Sequence, residues 1–289
     1  MKNKNILITG IDGFIGKSLK EALKRDNKII GIVNKKKLNK IKSNLISLNT
    51  KNLKKIPFIP DYIFHCAGTS SVSKSFIKSK EDYEKNYLTT KILIEFYKQT
   101  LIKPTIFIFS SAAVYGNNKK LLNPISNYGK NKLLAEKLSI NYANKFDMKI
   151  IILRIFSVYG EKNCKQLFWD ICKKISSKKN IFFGTGKEIR SWIHISDLLS
   201  AINLIKDVKK FPFIIDVGSY KPTINKNIIK LFYKAFDFNF VPKFNNVNRK
   251  GDPKEQISNN TKLKNLGWKQ KIKITKGIML YARWFKKKN

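Results

Sequence analysis

Short, nearly unbroken apolar runs recur along the first half of the chain, at Asn5–Thr9, Lys28–Val33, Tyr62–Cys66, Thr105–Ser110 and Lys149–Arg154. Runs without polar alternation predict parallel strands covered on both faces. Between them lie amphipathic stretches of helical period. In Phe14–Arg25 the residues Ile15, Leu19, Ala22 and Leu23 share one face, and Leu88–Gln99 and Lys130–Lys145 read the same way. Strand–helix alternation of this kind predicts a doubly wound parallel α/β sheet. After Gly160 the alternation becomes irregular, with one further buried strand predicted at Phe213–Val217. The pattern therefore predicts a sheet domain over residues 1–160, completed by a strand near 211–218, and a smaller domain made mainly of 161–289.

Composition narrows the picture. A chain of 289 residues, 43% hydrophobic and 12% aromatic, has the material for a large packed core. No apolar run approaches the ~20 residues that span a bilayer. The opening MKNKNILITG passes straight into a strand, without the apolar stretch and cleavage site of a signal peptide. A cytoplasmic protein with no membrane partner is the expectation. Cys66, Cys164 and Cys172 are too few and too widely spaced for a disulfide framework, and with only His65 and His194 beside them no metal site is expected.

The net charge of +40 changes less than its size suggests. Lysines are spread along the whole chain rather than gathered in a block or helical stripe, so no specific nucleic-acid partner is expected. A small anionic substrate is favoured all the same. Arginine is more informative: only Arg25, Arg154, Arg190, Arg249 and Arg283 occur among 59 basic residues. In so lysine-rich a chain, an arginine points to a place that needs a planar, bidentate fork.

Four stretches carry chemistry. Gly10, Gly13 and Gly16 follow the first strand and open the first helix, in Thr9-Gly10-Ile11-Asp12-Gly13-Phe14-Ile15-Gly16. Such a turn brings backbone N–H groups and a helix N-terminus to a pyrophosphate, which predicts a Rossmann-type dinucleotide site. The second strand ends in Asn34-Lys35-Lys36-Lys37, without the acid that holds the ribose hydroxyls of NAD. Asn34 can bond a hydroxyl and the lysines can hold a 2′-phosphate, so NAD and NADP both stay open. Tyr128 and Lys132, four apart at the start of a helix, project from one face. A nearby ammonium, together with a positive nicotinamide, lowers a phenol's pKa and suits Tyr128 to act as a general base. Ser111, at the end of the fourth long strand, is placed to hydrogen-bond a reacting oxygen beside Tyr128.

Together these stretches resemble the extended short-chain dehydrogenase/reductases, in the NAD-dependent epimerase/dehydratase group. His65-Cys66-Ala67-Gly68 is similar to the family motif lining the cofactor, and Asn86 matches the asparagine that supports the site. Leu153-Arg154-Ile155-Phe156-Ser157-Val158-Tyr159-Gly160 resembles the segment entering the substrate domain, with Ser157 in place of the usual asparagine. The stretch from Gly184 to Asp197 resembles the nucleotide-sugar motif, and Arg249-Lys250-Gly251-Asp252 the C-terminal one. The resemblance implies a Rossmann domain and a smaller C-terminal domain binding a nucleotide-diphosphate sugar. It assigns catalysis to Ser111, Tyr128 and Lys132. Cofactor contacts fall to Gly10, Asp12, Gly13, Phe14, Ile15, Gly16, Asn34, Ala67, Gly68, Asn86, Tyr128 and Lys132. Substrate contacts fall to Ser111, Ser157, Arg190, Arg249 and Asp252. It also implies a homodimer through the helices around Leu88–Gln99 and Lys130–Lys145.

The same resemblance selects a reaction. Related dehydratases and decarboxylases carry an acid beside the catalytic Ser or Thr, where this chain has Ala112 and Ala113. What remains is 4-epimerisation through a transient 4-keto sugar with bound NAD, in the manner of the UDP-galactose and UDP-glucose 4-epimerases. The alternatives are an NADPH-dependent reductase of a nucleotide-linked 4-keto sugar and a non-catalytic protein binding a dinucleotide or RNA.

Overall fold

The computed structural model describes residues 1–33, 45–47, 50–117 and 121–288. The apolar runs form strands because both of their faces are buried. In β1 (Asn5–Thr9), Ile6 and Ile8 enter one core cluster while Leu7 enters another on the opposite side of the sheet. The same alternation holds farther along the sheet, where Phe107 and Phe109 face one cluster and Ile106 and Ile108 the other. Two-sided burial is what an uninterrupted apolar strand requires.

After β1 come α1 (Phe14–Leu23), β2 (Lys28–Val33), β3 (Leu45–Ser47), α2 (Thr50–Leu53) and β4 (Tyr62–His65). They are followed by α3 (Val72–Ile77), α4 (Ser79–Tyr83), α5 (Thr89–Tyr97), β5 (Thr105–Ser111), α6 (Asn127–Phe146) and β6 (Ile150–Ile155). A π-helical turn, Glu84–Leu88, joins α4 to α5. The expected strands shift by at most a residue at their ends, and the helix expected over Lys130–Lys145 begins three residues earlier. Strand β3 was not foreseen.

The second half contains β7 (Ser157–Tyr159), α7 (Gln166–Ser176), β8 (Ile181–Phe182), β9 (Ile189–Arg190), β10 (Trp192–His194) and α8 (Ile195–Ile205). Then come β11 (Phe213–Val217), β12 (Thr223–Ile224), α9 (Asn225–Phe236), β13 (Lys243–Phe244), β14 (Glu255–Gln256), α10 (Thr261–Asn265) and α11 (Ile274–Lys288). Strand β11 pairs in parallel with β6, and α8 lies against α1, so both rejoin the sheet. A separate core of Phe168, Ile171, Phe232, Ile278 and Tyr281 is built by α7, α9 and α11.

The main sheet has seven parallel strands in the order β3-β2-β1-β4-β5-β6-β11. The chain reverses its direction of growth between β1 and β4, and in such sheets ligands lie outside the C-terminal strand ends at that point. Thr9, His65 and Ser111 all stand on this edge. No helix among the described residues is long and apolar enough to cross a membrane.

Candidate active site

The glycine turn after β1 is as tight as its spacing suggests. Gly10 has φ +64°, and a Cβ on Gly16 would lie 2.3 Å from the Gly10 carbonyl oxygen, so helix and strand meet only because both are glycine. Gly13 caps α1 in an extended conformation, leaving the helix N-terminus without a side-chain cap. Asp12, Phe14 and Ile15 are half-buried around it, and the Phe14 ring reaches Gly160. The turn leans on the end of β4: a Cβ on Gly10 would come within 2.8 Å of the Ala67 nitrogen. Asn34 and Lys35–Lys37 lie outside the described residues.

Helix α6 carries polar side chains on its buried face. Asn131, Lys132, Glu136 and Ser139 are all buried there with Ala135 and Ala143. Burying charge is costly unless it is paired and hydrogen-bonded, and each group has partners. Lys132 Nζ donates to the Phe109 carbonyl at 2.8 Å, and Asn131 donates to Asp82 at 2.8 Å. Glu136 accepts from Ser110 at 2.5 Å and from Arg154 Nη2 at 2.7 Å. Arg154 Nη1 then donates to Tyr115, whose hydroxyl donates to Asp216 at 2.8 Å.

The first turn of α6 places Tyr128. Ser126 accepts from the Gly129 nitrogen as its cap, and the Tyr128 nitrogen donates to Ser75 of α3. A Cβ on Gly129 would sit 2.5 Å from the Ala113 carbonyl oxygen, so glycine there lets the helix press against the end of β5. Tyr128 thereby lies beside Ser111, and Lys132 Nζ lies 6.0 Å from the Tyr128 ring centroid. The expected fall in the phenol's pKa does not occur in the chain by itself. Burial pushes it up to about 12, Asp82 pushes the same way, and the Ser111 hydrogen bond pulls it down. Burial also lowers Lys132 to about 8, against the attraction of Cys66, Asp82 and Glu136. His65, held between Thr9 and Thr90, is pushed down to about 3 by burial and then by Lys132, so it is neutral.

Asn86 lies in the π-helical turn, a distortion frequent at functional sites. Its amide donates to Thr69 Oγ1 at 2.7 Å and to Asp82 Oδ1 at 3.0 Å. Its own Oδ1 is buried without a partner among the described residues. A Cβ on Gly68 would be 2.5 Å from that oxygen and 3.3 Å from Lys132 Nζ, so both groups border the space above Gly68.

The second half contributes its arginines through short strands. Strand β9 runs between β12 and β14, which sets Arg190 beside Gln256, just after the Arg249–Asp252 turn. Two motifs far apart in sequence are thus brought together. Glu188 steadies the loop before Arg190 by accepting from the Thr185 nitrogen at 2.8 Å and its hydroxyl at 3.0 Å. The Arg190 guanidinium donates to the carbonyls of Ile189, Pro253 and Lys254, at 2.9, 2.7 and 3.1 Å. Arg249 lies exposed, its guanidinium 4.4 Å from the Phe183 ring centroid. Desolvation raises the Asp252 carboxyl, against the pull of Arg190 and Arg249. Ser157 is half-buried on β7, opposite Trp192. A small cleft opens just beyond the end of β5, between Ala112, Tyr115 and Phe156 on one side and Glu255 and Gln256 on the other.

Sequence reading missed Asp82, Asn131 and Glu136. A signal was present in their spacing: Asp82 stands four before Asn86, and Glu136 four after Lys132, hence on the same helical faces. The scarcity of arginine also misled in part. Arg154 does form a bidentate fork, but with Glu136 inside the protein.

Comparison with known proteins agrees with this architecture. The sequence pattern of the NAD dependent epimerase/dehydratase family matches residues 6–215. An uncharacterized protein of Methanocaldococcus jannaschii is 30% identical over 322 positions, covering 99% of this chain and 97% of that one. A dTDP-D-glucose 4,6-dehydratase of Dictyostelium discoideum is 27% identical, over 98% of this chain and 82% of its own. The crystal structure of UDP-glucuronic acid 4-epimerase from Bacillus cereus, in complex with UDP-glucuronic acid and NAD, superposes with a TM-score of 0.85 at 25% identity, covering 99% of this chain and 100% of that one. With the glycine turn, the parallel sheet and the serine–tyrosine–lysine group in place, the chain belongs to the NAD-dependent epimerase/dehydratase family.

Proposed function

We propose that this chain is a nucleotide-sugar 4-epimerase that works with bound NAD. The observation that carries the reading is the meeting of Ser111, Tyr128 and Lys132 at the end of β5, where Ala112 and Ala113 stand in the places that hold an acid in the family's dehydratases. Similarity alone does not choose, since a dehydratase is among the relatives.

The residues fit a dinucleotide. Gly10, Gly13 and Gly16 leave backbone and the α1 N-terminus open to a pyrophosphate, with Asp12, Phe14 and Ile15 around it. Ala67, Gly68 and Asn86 border the next part of the crevice, where the buried Asn86 Oδ1 has an acceptor to offer. Tyr128 and Lys132 complete that side, and Asn34 is assigned to the adenosine ribose. When bound, NAD supplies a hydride acceptor that takes hydride from the sugar's C4 and returns it.

The chain's own residues do the rest. Tyr128 takes the proton of the 4-hydroxyl and later gives it back, and Ser111 hydrogen-bonds the same oxygen. Lys132, a cation below about 8, stabilises the phenolate that burial alone resists. Arg190 and Arg249 hold the diphosphate, with Asp252 orienting them and Ser157 touching the sugar. That anchorage lets the 4-keto sugar turn and present its other face.

The test is to incubate the purified protein with UDP-glucose, UDP-galactose or UDP-glucuronic acid, adding no cofactor, and follow the 4-epimers by proton NMR. Equilibration of an epimer pair is expected, with Tyr128→Phe lowering kcat by about 10²–10⁴-fold. Near-normal turnover by Tyr128→Phe would refute the mechanism. Turnover only of a 4-keto sugar, and only with added NADPH, would establish the reductase instead.

A further inference from the structure

Acids are scarce in this chain, 19 in 289 residues, and Asp82 is one of the few that is fully buried. Its carboxylate accepts three side-chain hydrogen bonds: from Thr69 Oγ1, from Asn86 Nδ2 at 3.0 Å and from Asn131 Nδ2 at 2.8 Å. Each donor sits on a different segment of the crevice. Thr69 follows Gly68, Asn86 lies in the π-helical turn, and Asn131 precedes Lys132. One carboxylate therefore ties together the β4 loop, the turn before α5 and the active face of α6.

The consequence is rotational. A primary amide can present either its oxygen or its nitrogen, and its hydrogen-bond network decides which. Both directions available to the Asn86 nitrogen are taken, by Thr69 and Asp82. The oxygen is turned the other way, toward Gly68 and the space that Lys132 also borders, and there it is buried and unpartnered among the described residues. A buried acceptor without a donor is costly and calls for a ligand that donates.

We propose that Asp82 is a positioning residue: by holding Thr69, Asn86 and Asn131 it fixes Asn86 Oδ1 as an acceptor above Gly68 for an N–H or O–H of the bound dinucleotide. This rests on reading the crevice as a dinucleotide site. The same carboxylate acts electrically on the catalytic pair. It raises the pKa of Tyr128, which also feels Ser111, and that of Lys132, which also faces Cys66, Glu136 and His65. Neutralising Asp82 moves both groups in one direction, downward.

The test compares Asp82→Asn and Thr69→Val with the wild type by calorimetric titration of NAD and by the pH profile of kcat. Asp82→Asn keeps the shape but loses the charge and lets the Asn86 amide turn. Weaker NAD binding by about tenfold is expected, with both limbs of the profile moved to lower pH. Thr69→Val frees the Asn86 amide but keeps the carboxylate, so NAD binding weakens several-fold while the limbs stay in place. NAD affinity within twofold of the wild type in either folded variant overturns the proposal, as does an unmoved profile in Asp82→Asn. If Asp82→Asn does not fold, Thr69→Val decides alone. A wild type that binds NAD yet epimerises no nucleotide sugar would refute the proposed reaction and leave the affinity test of Asp82 intact.

Discussion

Around Lys132 the polar side chains are buried or half-buried and tied to one another, whereas around Arg249 they bond mainly to backbone or lie at the surface. On the first side, Ser110, Glu136, Arg154, Tyr115 and Asp216 form one chain of hydrogen bonds under the strand that carries Ser111. On the second side, Arg190 is steadied by three backbone carbonyls and Arg249 by one aromatic ring. Under the reaction proposed above, the difference follows from what each end would have to do. Proton and hydride transfer need reacting groups held to within a fraction of an ångström. A diphosphate needs charge within reach, and an anchor that lets the sugar turn tolerates looser walls.

The sharpest way to break this comparison is to remove a charge from the buried side. Glu136→Ala leaves the largely buried Arg154 with Tyr115 but no carboxylate partner, and is expected to cost about 3 kcal/mol of stability, read as a lower urea midpoint with an unchanged slope. A midpoint equal to the wild type's would show that the network holds nothing together. On the looser side, Arg190→Ala is expected to leave kcat nearly unchanged while the KM for a UDP-sugar rises by about 10–100-fold, the worth of a charged hydrogen-bond pair at ~1.5–3 kcal/mol. Arg190→Lys should recover little of it, because an ammonium cannot reproduce the fork. A fall in kcat as large as the rise in KM would mean that Arg190 belongs to the chemistry. The smallest effect is expected at Arg249→Ala, because the pull of an exposed cation on an anion is weakened by solvent, to about 0.2–1 kcal/mol. KM should rise only a few-fold, and the difference from wild type should shrink as salt is raised. A salt-independent loss as large as that of Arg190→Ala would put the two arginines on the same footing.

The two sides also differ in how readily they are read from the chain. The glycine turn at Gly10–Gly16, the strand ends and the Tyr128–Lys132 pair are legible because each depends on residues a few positions apart. The partners of those residues are not. Asp82 and Glu136 stand at helical spacing from Asn86 and Lys132, yet nothing local says that Asp82 gathers Thr69 and Asn131, or that Glu136 reaches Arg154 on another strand. Arg154 shows the limit of arguing from scarcity: a rare arginine does mark a bidentate fork, and the fold supplied the carboxylate. Tyr128 shows the same limit for pKa. A lysine four residues away suggests an easier ionisation, but burial raises the phenol to about 12 before any ligand enters.

By itself, then, the order of residues determined the parallel sheet, its ligand-bearing edge and the residue types gathered there, since apolar periodicity and a glycine turn act within a few residues of themselves. The tertiary structure alone decided that β14 runs beside β9 and carries the Arg249 turn to Arg190. It alone decided which way the Asn86 amide faces and which acids meet which bases inside. Those choices depend on desolvation and on hydrogen bonds between segments far apart in the chain, and they exist only once the elements have packed.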